Sequence, residues 1–446
     1  MLPQDFAEQV RSRVEMKRPI KIDTVAIVGL GYVGLPLAIL AAERGYKVVG
    51  YDIDEVKVAQ LEKREANFLS EEESKSFRSA KKLSMSTDER TLDMATVYII
   101  CVPTPVHEDH EPDLAPLLSA SQAVGRHLKK GDLVVVESTV NPGVCEKVSL
   151  TALERTSGLD RSDFYFAHCP ERINPGDPRW NVRTIPRVIG GRDKESLDRA
   201  TNLYRSLLDS EIVPMETIKE AEAVKMVENS FRDVNIAFVN ELAMAFDKAG
   251  IDIMNVLQGA STKPFGFMAH YPGCGVGGHC IPVDPYYLIR YGVENGFEHR
   301  FLATARRINE RMPAYTVKLL EDALQSKGMS LQGSTIALLG LAYKKDIPDL
   351  RESPALVIEK ILKERGARVR AFDPFTPRIS GIKTLDEALK GADAAILATD
   401  HTLFRALSPQ DFSNASVGIV VDGRNCLKRE AFANSSILYR GIGRRI

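Results

Sequence analysis

The sequence predicts an α/β protein: two doubly wound parallel-sheet domains joined by a helical middle that contains one long helix. Three observations predict it. Short apolar segments alternate with helical ones through the first third of the chain. A second run of that kind begins at Thr335, where Thr335-IALLGLAY echoes Thr24-VAIVGLGY in the same register. Between them, Glu216–Ala249 holds neither proline nor glycine and repeats its apolar residues at helical spacing.

In chain order, Val25–Val28, Lys47–Tyr51, Thr96–Val102, Asp132–Glu137 and Phe164–His168 read as strands, and Leu35–Glu43 as a helix. The uncharged stretch Val25–Ala42 is just long enough for a membrane span. Its internal Gly29, Gly31, Gly34 and Pro36, with Asp23 and Glu43 at its borders, favour strand, turn and buried helix instead. In Glu216–Ala249, Ile218, Val224, Val227, Phe231, Val234, Phe238, Leu242 and Ala245 form an apolar stripe on a helix roughly 50 Å long. A helix of that length links domains or packs against a partner subunit. A Gly/Pro-rich stretch covers Lys263–Tyr286, and helical segments run from about Asn295 to Gln325. In the second α/β run, Arg368–Phe372 ends at Asp373 as Lys47–Tyr51 ends at Asp52. The expected domains are residues 1–215, 216–325 and 326–446.

The length of 446 residues allows two to four domains, with 44% hydrophobic and 27% charged residues as in ordinary globular chains. Lys+Arg 59 against Asp+Glu 60 leaves a net charge of -1, so no basic excess draws in nucleic acid. Six cysteines at irregular spacing make no disulfide framework and suggest a reducing, cytoplasmic setting. The first 22 residues lack the continuous apolar core of a signal peptide. No membrane association is expected.

Gly29-Leu-Gly31-Tyr-Val-Gly34 sits between a predicted strand and a predicted helix, and Asp52 ends the next strand. This is the context in which glycines admit a pyrophosphate to a helix N-terminus and an acid binds the ribose. The Asp52 carboxylate would repel a 2′-phosphate, so the cofactor expected is NAD. The second copy has Ala342 and Lys345 where the first has Gly31 and Gly34, with Lys344 beside them in a charged loop through Arg351. Gly273-Cys-Gly-Val-Gly-Gly-His-Cys280-Ile-Pro-Val-Asp284 places a cysteine in a loop whose glycines leave its backbone accessible to a ligand. Cys274, His279 and Cys280 lack the second pair that zinc spacing requires, and no metal is expected. Lys225 and Asn229 share one helix face and could hold an oxyanion. Glu137-Ser-Thr139 closes one strand, and Glu171 follows another, at the sheet edge where such folds bind ligands.

Together these blocks resemble the UDP-glucose/GDP-mannose dehydrogenase family from about Ile22 to the C-terminal region. The matching elements are GLGYVGLPLA, VPTP at Val102–Pro105, ESTVNPG, the PER element at Glu171, EAVKMVEN, GGHCIPVDP and GLAYKKD…RESPA. The resemblance implies Rossmann-like NAD-binding and nucleotide-sugar-binding domains, and dimerisation through the central helices. It implies that Cys280 is the nucleophile, that Lys225 and Asn229 stabilise oxyanions, and that Asp284 assists the hydrolytic water. Glu171 then does acid/base work, and Thr139 positions water. Gly29, Gly31, Tyr32, Val33, Gly34, Asp52, Lys57, Thr104 and Thr139 fall on the cofactor segment. Arg172, Gly277 and Lys344 fall, with Glu171, Lys225 and Asn229, on the substrate side.

His279, Val283 and Pro175 depart from the UDP-glucose branch, whereas GGHCIPVDPYYL and Thr262–Phe267 (TKPFGF) are similar to bacterial enzymes that oxidise UDP-N-acetylhexosamines. The expected activity is a four-electron oxidation of a C6 alcohol to a carboxylate, with UDP-N-acetylglucosamine as substrate, supplying surface polysaccharide synthesis. UDP-N-acetylgalactosamine, UDP-N-acetylmannosamine and UDP-glucose are the alternatives. A two-electron hydroxy-acid dehydrogenase would need no cysteine in a glycine loop. A non-catalytic nucleotide-sugar or NAD sensor would have no use for Cys280, Lys225, Asn229 and Asp284 together.

Overall fold

The computed structural model describes residues 24–66, 68–107, 112–173 and 179–445. The N-terminal segment read for a signal peptide, and Pro175, lie outside the described residues. The chain divides into two compact units, Met1–Val227 and Glu228–Ile446.

The first unit is built on β1 (Thr24–Val28), β2 (Lys47–Tyr51), β3 (Leu83–Ser86), β4 (Val97–Ile100), β5 (Leu133–Val136), β6 (Tyr165–His168), β7 (Arg187–Gly191) and β8 (Ile212–Met215). They form one sheet in the order β3-β2-β1-β4-β5-β6-β7-β8. In β1, Val25 and Ile27 face one apolar layer while Ala26 and Val28 face the other, so the strand is apolar throughout rather than alternating. The segment weighed as a membrane span is therefore β1, a turn and the buried helix Gly34–Glu43. Among the described residues no helix is long and apolar enough to cross a membrane.

One pairing departs from the parallel expectation: β6 and β7 run antiparallel, with Ala167 opposite Gly191. Among the described residues no helix separates these two strands, and without a crossover a chain re-enters the sheet in the opposite direction. Strand order reverses beside β1, which has β2 on one side and β4 on the other, so a crevice opens at the carboxyl ends of β1 and β4.

The second unit repeats the plan with β9 (Thr335–Leu339), β10 (Arg368–Phe372), β11 (Ala394–Leu397), β12 (Ile419–Asp422), β13 (Leu438–Gly441) and β14 (Arg444–Arg445), in the order β10-β9-β11-β12-β13-β14. Only β13 and β14 pair antiparallel here. Ile336 and Leu338 face one core, Ala337 and Leu339 the other. The helix Arg300–Ser326 begins later than expected, because Gly296 takes a positive φ of 77° in the turn before it.

The long helix spans Ile218–Ala249. Its buried side differs from the apolar stripe the sequence suggests. Glu222, Lys225, Asn229, Asp233 and Asn240 are buried, while Val227, Phe231 and Phe238 are exposed. In the second unit, Arg306 and Asn309 meet the Asp233 and Asn240 part of this face. Arg306 meets Asp233 at 2.6 Å, and the Asn309 amide donates to the same carboxylate at 2.8 Å. The Asn240 amide donates to Asn309 at 2.9 Å. Hydrogen bonding thus outweighs hydropathy in deciding which side is covered.

Candidate active site

The turn after β1 has the construction a dinucleotide needs. Gly29 holds a φ of +94°, and a Cβ there would stand 2.9 Å from the Cys101 carbonyl. At Gly34 a Cβ would lie 1.9 Å from the Gly29 carbonyl oxygen, so only glycine lets the helix start against the strand. Beside Gly31 nothing lies within 4 Å of a Cβ position, which leaves backbone open to a ligand. The helix Gly34–Glu43 has no side-chain cap and no acid in its first turn, so its N-terminal N–H groups and dipole face the crevice.

Asp52, at the end of β2, accepts the Leu30 N–H at 2.8 Å and the Lys57 ammonium at 2.9 Å through Oδ2. Its Oδ1 accepts the Asp54 N–H at 3.1 Å and keeps capacity for ribose hydroxyls. Tyr32 is exposed and packs on Phe68, with ring centroids 4.6 Å apart, and Val33 precedes the helix. Thr104 donates its hydroxyl to the Thr139 carbonyl at 2.6 Å, joining the loops after β4 and β5. These residues fit NAD.

Three side chains at one sheet edge, past the carboxyl ends of β5 and β6 and at the start of the antiparallel β7, form a cluster. Glu137, Glu171 and Arg187 are all buried. Arg187 Nη1 lies 3.4 Å from Glu137 Oε2, and Arg187 Nη2 lies 3.0 Å from Glu171 Oε2. The Tyr204 hydroxyl donates to Glu137, and the Ile173 N–H donates to Glu171. Burial pushes the Glu137 carboxyl up to about 7, the nearby Glu171 adding to the rise and Arg187 opposing it. Arg172 donates to the Pro186 carbonyl at 2.9 Å. Sequence reasoning placed Glu171 at this sheet edge and overlooked Arg187. The available signal was an arginine opening an otherwise apolar strand, RVIGG.

On the long helix, Lys225 is buried one turn before Asn229. A turn earlier, Glu222 accepts the Cys145 N–H at 2.8 Å and the Gly143 N–H at 2.5 Å, tying the loop after Thr139 to this helix. Burial raises its carboxyl to about 7 against those two hydrogen bonds.

In the second unit three expected residues come together. The Asn229 amide donates to Asp284 Oδ2 at 2.6 Å, and the Asp284 N–H donates to the Cys280 carbonyl at 2.8 Å. Asp284 opens the helix Asp284–Glu294. The imidazole of His279 reaches within 3.6 Å of the Cys280 sulfur, close enough to accept the thiol proton. Cys280 itself is half-buried, while the Cys274 thiol is buried against the Ala398 carbonyl at 3.3 Å. Among the described residues no group of three His, Cys, Asp or Glu side chains is placed to hold a metal.

The glycines of this loop are also required by packing. A Cβ at Gly277 would stand 2.4 Å from the Tyr343 Cβ, and one at Gly278 would stand 2.9 Å from its ring. At Gly275 a Cβ would be 3.0 Å from Pro354. These glycines admit the segment after β9. Two bonds fix the packing: Gly278 N–H to the Arg351 carbonyl at 2.9 Å, and Cys274 N–H to the Gly423 carbonyl at 3.0 Å. Lys344 is half-buried beside Tyr343 in the same loop, and its neighbour Lys345 lies 3.9 Å from Asp346.

Models of the UDP-glucose/GDP-mannose dehydrogenase family match the chain in three parts: the NAD binding domain over residues 23–208, the central domain over 219–311 and the UDP binding domain over 337–429. The chain is 38% identical over 425 residues to a UDP-N-acetyl-D-mannosamine dehydrogenase of Pyrococcus horikoshii, covering 94% of this chain and 99% of that one. It is 40% identical over 396 residues to a UDP-N-acetyl-D-glucosamine 6-dehydrogenase of Pseudomonas aeruginosa, covering 87% and 92%. A solved UDP-D-ManNAc dehydrogenase from Pyrococcus horikoshii superposes with a TM-score of 0.88 at 37% identity, over 94% of this chain and 99% of that chain.

Proposed function

The chain belongs to the UDP-glucose/GDP-mannose dehydrogenase family, and from that membership we propose that it oxidises the C6 alcohol of a UDP-N-acetylhexosamine, foremost UDP-N-acetylglucosamine, to the carboxylate. The observation that carries the chemistry is the Cys280–Asp284–Asn229 arrangement in the second unit. NAD, when bound, accepts hydride, and the alcohol-to-acid change releases two of them. The work of the protein is to keep the intermediate aldehyde from escaping. Cys280 Sγ adds to the aldehyde carbon while His279 takes the thiol proton; the carbonyl π bond opens to an oxyanion, which takes up a proton to give the thiohemiacetal. Its oxidation leaves a thioester. Water adds to that carbon and loses a proton to Asp284, and the C–S bond then breaks with the thiolate as leaving group. Asn229 Nδ2 carries two hydrogens; one orients Asp284, and the other is available to an oxyanion alongside the Lys225 ammonium. Glu171 serves as the acid and base of thioester formation and breakdown, with Thr139 positioning water.

The substrate reading is supported by the 40% identity to the glucosamine enzyme and by the TKPFGF and GGHCIPVDPYYL segments. The 38% identity over 94% of the chain to the mannosamine enzyme favours UDP-N-acetylmannosamine as the second reading. An acetamide site left with only a hydroxyl keeps polar atoms unpaired, which disfavours UDP-glucose. Comparing kcat/KM for the four UDP-sugars decides among them, and UDP-glucose winning would sink the acetamido assignment. Two NADH per sugar are expected, against one for a hydroxy-acid dehydrogenase and none for a sensor. Cys280→Ser is expected to complete the first oxidation and then stall, because an alkoxide leaves poorly; free acid formed at the wild-type rate would exclude covalent catalysis.

We further propose three functional segments, residues 1–215, 216–325 and 326–446, and a cytoplasmic homodimer formed through the central helices. The exposed Phe231 and Phe238 support the dimer, together with a groove of about 490 Å³ lined by Phe231, Phe238, Phe267 and Met268. Phe238→Glu is expected to yield monomer in sedimentation equilibrium, and an unchanged mass would overturn this interface.

A further inference from the structure

The Glu137–Arg187–Glu171 cluster contains two residues that the proposed chemistry does not use. Arg187 is fully buried, and an apolar side chain would fill its place at lower desolvation cost. What the guanidinium touches explains its presence. It lies 3.0 Å from Glu171 Oε2 and 3.4 Å from Glu137 Oε2, and it reaches the Pro170 carbonyl, also at 3.4 Å. The second oxygen of each carboxylate is held as well, that of Glu171 by the Ile173 N–H and that of Glu137 by the Tyr204 hydroxyl. Glu137 is therefore hydrogen-bonded at both oxygens and Glu171 at one, its Oε2 meeting Arg187 as an ion pair without hydrogen-bond alignment, and Arg187 is the common member.

The charges do not cancel. Two carboxylates face one guanidinium, and the other titratable groups around them, Cys101 after β4, Cys169 after β6 and Tyr204 on the helix Lys194–Leu207, are held protonated by burial. None supplies positive charge. A proton taken up by either carboxyl frees Arg187 to bind the other more strongly.

We propose that Arg187 is a positioning residue for Glu171, and that Glu137, through the shared guanidinium, sets how readily Glu171 gains and loses its proton. The proposal rests on the reading of Glu171 as the acid and base of the reaction. Glu137 is built for that part, since it is the more deeply buried of the two carboxyls and shares the Arg187 guanidinium with Glu171.

The test uses the full chain with NAD and UDP-N-acetylglucosamine. Arg187→Met is expected to lower kcat about 100-fold with sugar KM changed less than about threefold, and Arg187→Lys to restore part of the loss. Glu137→Gln removes a neighbour that turns negative as its carboxyl titrates at about 7, so the limb of the kcat–pH profile near that pH moves to lower pH. Arg187→Lys with wild-type kcat and profile, or Glu137→Gln with an unmoved limb, overturns the proposal. If Arg187→Met fails to fold, the other two variants carry the test. Infrared titration of the resting protein separates this proposal from the reaction assigned above. A buried carboxyl band that disappears in Glu137→Gln and shifts in Arg187→Lys upholds the coupling even if no UDP-sugar is oxidised. A band indifferent to Arg187→Lys overturns the coupling even if two NADH form per sugar.

Discussion

Asp52 and Asp373 stand at corresponding places in the two units, one after β2 and the other after β10, and their surroundings have diverged. The glycines that open the two turns match, with φ of +94° at Gly29 and +92° at Gly340. Beyond them, Asp52 takes the Leu30 N–H, pairs with Lys57 and keeps acceptor capacity on Oδ1. Asp373 spends its acceptors inside the fold. Its Oδ2 takes the Leu341 N–H at 2.7 Å, the Ala342 N–H at 2.8 Å and His401 Nε2 at 3.1 Å. Its Oδ1 takes the Phe375 and Thr376 N–H groups. His401 Nδ1 accepts the Asp346 N–H at 2.8 Å, so its hydrogen resides on Nε2 and points at Asp373. The helix that follows is likewise open in the first unit and capped in the second, where Ser353 accepts the Ala355 N–H at 3.3 Å. A repeated sequence motif therefore carries one turn with acceptor capacity to spare and one turn closed on itself. The difference lies in how many backbone N–H groups the carboxylate takes, two at Asp52 and four at Asp373.

The largest expected effect breaks the closed turn. Asp373→Ala leaves Leu341, Ala342, Phe375, Thr376 and His401 without their acceptor and is expected to cost about 3–5 kcal/mol in urea unfolding, with NAD affinity retained. Loss of NAD binding without loss of stability would reverse the assignment of the two turns.

Acid reaches the same group without mutation. Burial alone would raise the Asp373 carboxyl, but the hydrogen bonds from His401, Ala342 and Leu341 overcome it and hold it at about 2. A depressed folded-state value means that this stabilisation is complete above the unfolded value near 4 and is lost as pH falls toward 2, about 2–3 kcal/mol in all. In a wild-type against Asp373→Asn comparison, the difference in stability should shrink across that window; a constant difference would refute the linkage.

In the first unit the matching change acts on binding. Asp52→Ala is expected to weaken NAD about 10- to 100-fold and to relax discrimination against NADP, by calorimetry, while costing less stability than Asp373→Ala. Unchanged affinity for both cofactors would remove the ribose assignment. The smallest effect sharpens the contrast further. Gly31→Ala meets open space, so unfolding free energy should move by no more than about 0.5 kcal/mol while NAD affinity falls, because the added methyl stands where the pyrophosphate must approach. Intact affinity would show that the pyrophosphate lies elsewhere.

The elements most legible in the sequence were those whose signal is local. The observed β2 and β10 coincide with the expected Lys47–Tyr51 and Arg368–Phe372, because each opens on an exposed basic residue, runs into a buried end and is closed by an acid. The Gly29–Gly34 turn and Asp52 were legible too, since glycine spacing and a strand end are read directly from order along the chain. The long helix was legible in extent only. Its apolar stripe at Val227, Phe231 and Phe238 is exposed, because burial was decided by Arg306 and Asn309, more than 70 residues away in the chain, which pair with its polar side.

The sequence by itself determined which residue types were available: a nucleophilic thiol beside a histidine, a lysine and an amide one turn apart, and glycines where a dinucleotide would press. Periodicity and spacing settle such matters because they follow from backbone geometry. Only the tertiary structure decided what those residues do. It turned Gly277 and Gly278 toward Tyr343 and spent Asp373 on the backbone of its own turn. It also brought Arg187 to Glu137 and Glu171 from a strand whose antiparallel entry no local pattern announced. The reason is the cost of burial. A charged or polar group inside a fold must find its partner wherever the chain path brings one, and that path is a property of the packed sheets rather than of any segment read alone.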